Sequence, residues 1–116
     1  MQYLLAIYRD ESHEPENGTP EFDDILKRYT KLTEDLEAAG VFIDGRPLEP
    51  VSTATTVRVR GGRTLTTDGP FAETKEQLGG FYLIECADLD EAISWAARIP
   101  ASEIGSIEIR PIMQIG

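Results

Sequence analysis

Thr55-Thr56-Val57-Arg58-Val59-Arg60-Gly61-Gly62-Arg63-Thr64-Leu65-Thr66-Thr67 holds two alternating runs separated by Gly-Gly. Period-two alternation places successive side chains on opposite faces of a strand. Two glycines supply the positive φ angles that a tight two-residue turn needs. The segment therefore predicts a β-hairpin, with Arg58 and Arg60 on its outward face and Arg63 just past the turn. The segments on either side of the hairpin set the fold.

Upstream, Tyr3 to Tyr8 is apolar on both faces, as a central strand covered on two sides would be. Asp10 to Gly18 is acidic and rich in turn formers and reads as a mobile surface loop. Thr19-Pro20-Glu21 then opens a helix, with an N-cap followed by Pro at the first helical position. Phe22, Ile25, Leu26, Tyr29, Leu32, Leu36 and Ala39 recur at three-and-four spacing, so the helix from Pro20 to Ala39 carries one apolar stripe. Gly40 ends it. Val41-Phe42-Ile43 is a short strand that stops at the turn signal Asp44-Gly45, and Pro47 and Pro50 make the next few residues irregular.

Downstream, Asp68-Gly69-Pro70-Phe71 breaks the second hairpin strand and a polar segment runs from Ala72 to Leu78. Gly79-Gly80 leads into a buried strand, Phe81 to Cys86. Asp88-Leu89-Asp90-Glu91 has the spacing of a capping box. Its helix runs through Ala92, Ile93, Ala96 and Ala97 until Pro100 ends it. Ile107 to Arg110 alternates as a last strand, closed by Pro111. The order is β-α-β, a hairpin insertion, and β-α-β again. That pattern predicts one α+β domain over residues 1–116, a ferredoxin-like split βαβ sheet with both helices on one face. No third long helix is available for the other face, so face-to-face homodimerisation is the expected way to bury it.

Composition narrows the function classes. Eleven basic against twenty-one acidic side chains give a formal net charge of −10. Nucleic acid is therefore not an expected ligand, because phosphate contact needs positive potential at the binding surface. No apolar run approaches the ~20 residues of a membrane-spanning helix, so no membrane association is expected. The N-terminal run lacks a basic n-region and reads as a strand, not as a signal peptide. The single cysteine, Cys86, cannot form an intramolecular disulfide, which fits a reducing, cytoplasmic setting. No metal is expected, since one His, one Cys and scattered carboxylates offer no ligand spacing. No cofactor is expected either, because there is no phosphate-binding Gly-rich loop, nucleophile elbow or dinucleotide fingerprint.

The run from Thr67 to Tyr82, Thr67-Asp68-Gly69-Pro70-Phe71-Ala72-Glu73-Thr74-Lys75-Glu76-Gln77-Leu78-Gly79-Gly80-Phe81-Tyr82, resembles the signature of the DGPF branch of the YCII-related family. Tyr3 to Tyr8, Thr53 to Arg58 and Arg110-Pro111 agree with it, so the resemblance spans essentially the whole chain. It implies a dimeric α+β-barrel-type assembly of ferredoxin-like protomers. It also implies genomic proximity to extracytoplasmic-function sigma factors, and hence a sigma-factor association as one partner hypothesis. The related YciI proteins have a proposed His-Asp pair with its His on the first helix. The helix from Pro20 to Ala39 contains no histidine, and the one His of the chain, His13, lies in the loop before it. That dyad does not transfer.

Within the signature, two halves separate. Asp68 to Phe71 reads as architecture: Gly tolerates positive φ, Pro fixes the next φ, Asp68 accepts from the following amides, and Phe71 anchors the turn in apolar surroundings. Glu73, Thr74, Lys75 and Glu76 are charged and hydroxyl groups that a turn does not require. They are either a solvated face or the wall of a cleft. Two functions from different classes are open. In the first, a cleft near the dimer interface binds a small organic or anionic molecule, with cofactor-free acid-base chemistry an extension of that reading. Asp68 or Glu73 is then the proton acceptor, Lys75 the electrostatic stabiliser, and Tyr8, Thr74 and Arg110 are ligand contacts. In the second, the chain is a non-catalytic interaction or regulatory protein associated with a sigma factor. The discriminating observation is whether Glu73 and Lys75 point into a closed cavity or into solvent; solvent places the enzyme reading below the binding-protein reading.

Overall fold

In the computed structural model, which describes residues 1–115, the elements run in the order β1 (Gln2–Arg9), α1 (Pro20–Ala38), β2 (Phe42–Pro47), β3 (Thr55–Arg60), β4 (Arg63–Asp68), β5 (Gln77–Glu85), α2 (Leu89–Ala96) and β6 (Ser106–Pro111). Four strands form one antiparallel sheet in the order β2-β5-β1-β6, and β3 and β4 pair separately. Each helix links two strands that lie one strand apart, so the two βαβ units interlock. This is an α+β, ferredoxin-like arrangement.

The capping signals act as their chemistry dictates. Thr19 Oγ1 accepts from the Phe22 amide at 3.2 Å, and Pro20 fills the first helical position. Asp88 Oδ1 accepts from the Glu91 amide at 2.9 Å, while the Glu91 carboxylate reaches back to the Ala87 amide at 3.1 Å. Both helices lie on one face of the sheet. There Tyr3, Leu5 and Ile7 of β1 and Tyr82 and Ile84 of β5 meet Leu32 and Leu36 of α1 and Ala92 and Ala96 of α2. The small Ala92 and Ala96 let α2 settle close to the strands.

Ion pairs tie the helix layer together. Asp35 accepts from Lys31 Nζ at 2.8 Å and also from Arg98, and Glu103 takes Arg28 through both oxygens at 3.1 and 2.7 Å. These bonds hold the Asp35 and Glu103 carboxyls below their ordinary range, Asp35 through Lys31 and Arg98 and Glu103 through Arg28. A carboxylate with a depressed folded pKa stabilises the fold above its unfolded pKa of about 4, and that contribution is lost as pH falls through the lower folded value. Urea midpoints should therefore fall from pH 5 towards pH 2, and Asp35→Asn should flatten part of that decline. An acid limb of unchanged slope in Asp35→Asn would contradict the assignment.

Two expectations need correction. Asp44-Gly45 is not a turn. β2 continues through it to Pro47, with a register shift between Phe42 and Asp44 that marks a bulge. The reason is packing: a Cβ at Gly45 would lie 2.8 Å from Tyr82 Cδ1, so the missing side chain lets the strand pass beneath the Tyr82 ring. Nor does Asp10 to Gly18 lie unattached. Asp10 caps a 3-10 turn over Glu11–His13, Glu14 pairs with Arg9, and the Glu11 carboxylate accepts from the Val51 amide at 3.1 Å.

The β3–β4 hairpin turns at Gly61 and Gly62, whose φ angles of 57° and 76° are those of a type I′ turn. It stands away from the body as an arm. Every residue of its two strands except Thr56 is exposed. Accordingly, the radius of gyration is 16.2 Å, against about 13 Å for a compact chain of this length.

Candidate functional site

Antiparallel pairing decides which side chains share the face turned away from the helices. Leu4 pairs with Leu83 and with Arg110, Ala6 with Phe81 and Glu108, and Tyr8 with Leu78 and Ser106. On the far edge, Asp44 stands opposite Leu83 and Arg46 opposite Phe81. Directly opposed residues point to the same side. The open face therefore has an apolar floor of Leu4, Ala6, Phe81 and Leu83, with Asp44 and Arg46 along one edge and Glu108 and Arg110 along the other. Asp44 and Arg46 lie 3.3 Å apart, and Glu108 and Arg110 4.0 Å. Leu4, Phe81 and Leu83 are partly exposed in the protomer, and Ala6 between them is buried.

Tyr8 and Arg110 both belong to this face, but they do not meet. Tyr8 faces Ser106, whereas Arg110 faces Leu4, four positions further along β1. At the rise of a strand this is about 13 Å. They mark two ends of the floor instead of one common contact.

At the Tyr8 end, Ser106 Oγ donates to Glu76 Oε1 at 2.8 Å. Asp10 accepts from Ser12 Oγ at 2.6 Å and from the Ser12 amide at 3.0 Å, with His13 Nδ1 at 3.7 Å. Those two Ser12 bonds, aided by the nearby charges of His13 and Lys75, hold the Asp10 carboxyl below its ordinary range. His13 itself is exposed. Cys86 is buried, and desolvation pushes its thiol pKa up, which makes it a poor nucleophile.

The signature segment divides differently from the sequence reading. Phe71 is not anchored: 79% of it is exposed. The turn is held by backbone, with Gly69 at φ 100°, its amide donating to Ala54 O at 2.7 Å and its carbonyl accepting from Thr56 Oγ1 at 2.8 Å. Asp68 closes β4 opposite Thr55 at the base of the arm. Thr74 spends its hydroxyl locally, donating to Glu76 O at 2.7 Å, while Gln77 Nε2 donates to Thr74 O at 2.7 Å. Glu73 and Lys75 stand exposed in the protomer. No ion pair among the described residues joins Asp68, Glu73 and Lys75. The three proposed acid-base groups do not form a constellation within one chain.

Among the described residues, no group of three or more His, Cys, Asp and Glu side chains converges as a metal site. No described helix is long and apolar enough to cross a membrane. The open face itself has no sequence motif. Its only signal is alternation within Tyr3 to Tyr8 and Phe81 to Cys86, which an apolar run covered on both sides conceals.

Known proteins resemble the chain along its whole length. The family model for the YCII-related domain matches residues 1–116. An uncharacterized protein of Rhizobium meliloti (strain 1021) is 39% identical over 114 residues, covering 97% of this chain and 92% of its own length.

Proposed function

The chain belongs to the YCII-related family, and from that premise we propose that it is a homodimeric, non-catalytic binding protein whose open sheet faces close on each other around a small organic or anionic molecule. The observation that carries this reading is the apolar floor of Leu4, Phe81 and Leu83 around Ala6, partly exposed on the side of the sheet away from the helices. A sheet normally buries one face against a second layer, and here only a second copy is at hand to provide it. Charged groups at the ends of an apolar floor are what orient a ligand in such a cleft. Arg110 serves as the anion contact and Tyr8 as the contact at the other end. The exposure of Glu73 and Lys75 moves the acid-base reading of Asp68, Glu73 and Lys75 below simple binding.

Fluorescence titration with 1-anilinonaphthalene-8-sulfonate, an organic anion with an apolar body, combined with sedimentation velocity tests this. Wild type should sediment as a dimer and bind the dye saturably. Leu83→Glu should give monomers, because each copy would bring a charge to the centre of the interface. Arg110→Ala should stay dimeric and weaken binding roughly tenfold, the value of one charge-assisted contact. A monomeric wild type, or dye binding indifferent to both substitutions, would refute the reading. Lys75→Ala and Glu73→Gln should leave binding unchanged.

A second reading is favoured by the formal net charge of −10 together with the exposure of Glu73. In it the acidic dimer docks on a basic surface of a protein partner, of which a sigma factor is the candidate. Its test is a pull-down at low salt that recovers such a partner from wild type and loses it at high salt.

A further inference from the structure

Four of the chain's eleven basic side chains meet in one concavity. Lys27, Arg28 and Lys31 of α1 and Arg98 beyond the end of α2 line a depression of about 360 Å³ together with the buried Leu32. It lies in the helix layer, on the opposite side of the sheet from the open face. Its wall contains no carboxylate, in a chain where acids outnumber bases almost two to one.

Such an arrangement is costly in isolation. Lys27 and Lys31 are one helical turn apart and Arg28 and Lys31 three residues apart, so their charges share a face and repel. Two carboxylates bonded to the lining cations offset part of this. Asp35 holds Lys31 and Arg98, and Glu103 holds Arg28 through both oxygens. They also fix the heads of three cations in place, and the Arg98 guanidinium lies 5.3 Å from the Trp95 ring centre. Lys27 has no carboxylate partner among the described residues. Four lining cations thus face two bonded carboxylates, with Asp24 acting on Arg28 from further off.

We propose that this concavity is a binding site for a small phosphorylated molecule, with Lys27, Arg28, Lys31 and Arg98 on the phosphate oxygens and Leu32 beneath the organic remainder. Guanidinium edges and ammonium groups match several oxygens on one centre better than a single carboxylate does. The depression is open to solvent, with room for a phosphate against its cations and an organic substituent over Leu32. A long polyanion is disfavoured by the formal net charge of −10.

Isothermal titration with inorganic pyrophosphate at about 0.1 M salt, where exposed pairs are largely screened, tests the site with the intact protein. We expect saturable binding of one pyrophosphate per protomer, with amide chemical-shift changes concentrated between Lys27 and Leu32 and at Arg98. Lys27→Gln, at an exposed position, should not lower thermal stability, since it relieves repulsion with Lys31, and should weaken binding at least roughly tenfold. The double variant Arg58→Gln/Arg60→Gln removes two positive charges from the arm and should change binding by less than about twofold. Absence of saturation in the millimolar range would overturn the proposal, as would equal loss in the arm variant or equal affinity for citrate.

Discussion

Adding one methyl group at Gly105 is expected to cost roughly 3 kcal/mol, the upper part of the range for forcing extra atoms into a packed site. A Cβ there would lie 2.2 Å from the Tyr8 carbonyl oxygen and 3.1 Å from Arg9 Cα. Both are backbone atoms of β1, so no side chain can swing aside. Relief requires β6 to leave β1, starting at the Tyr8–Ser106 pair and taking with it the Ser106–Glu76 hydrogen bond. Urea unfolding of Gly105→Ala gives the number. Amide exchange should accelerate first at the β6 end nearest residue 106. A change below about 0.5 kcal/mol, the size of an ordinary surface substitution, would mean that the strands do not approach this closely.

The second large effect is expected at Ile84. Its side chain is 0% exposed, near the C-terminal end of β5, with Tyr3 opposite on β1 and Phe42 opposite on β2. Truncation to Ala removes buried methylenes and leaves a cavity between the sheet and the helix layer, a loss of about 3 kcal/mol. That is a large share of the ~5–15 kcal/mol available to a domain of this size. The adjacent Leu83 supplies the internal control. It points to the open face, so Leu83→Ala should reduce protomer stability far less and should instead weaken self-association. Equal destabilisation by both substitutions, independent of protein concentration, would contradict the face assignment.

Much of the fold was legible because its signals are local. Thr19-Pro20 at the start of α1, the apolar stripe through Leu32 and Leu36, the Asp88–Glu91 cap and the Gly61-Gly62 turn each depend on residues within one or two turns of chain. Asp44-Gly45 was misread because a turn and a bulge ask for the same residues. Only the Tyr82 ring, distant in sequence, decides between them. The candidate site was less legible for the same reason. Tyr8 and Arg110 both belong to the open face, but their separation is set by the β1–β6 register, which no local pattern encodes. Phe71 was read as an anchor from its apolar character, although the turn closes through Ala54 and Thr56 instead. The basic concavity joins Lys27, Arg28 and Lys31, whose helical spacing is visible, to Arg98, which only the packing of the helix layer brings near.

The β3–β4 arm has a consequence for how the protein can be watched. Its hydrogen bonds join residues close in sequence, so it closes within microseconds. A two-stranded ribbon without a packed face is only marginally stable, however, and its amides open with a free energy near zero. Arm amides such as those of Arg58, Arg60 and Leu65, which face the partner strand, should therefore exchange with solvent at nearly the intrinsic rate in a free protomer, and slow down only when another molecule covers the ribbon. The arm is thus a built-in gauge of assembly: deuterium uptake there, tracked against protein concentration, measures association without a label, while the core amides of β1 and β5 report global unfolding in the same spectrum.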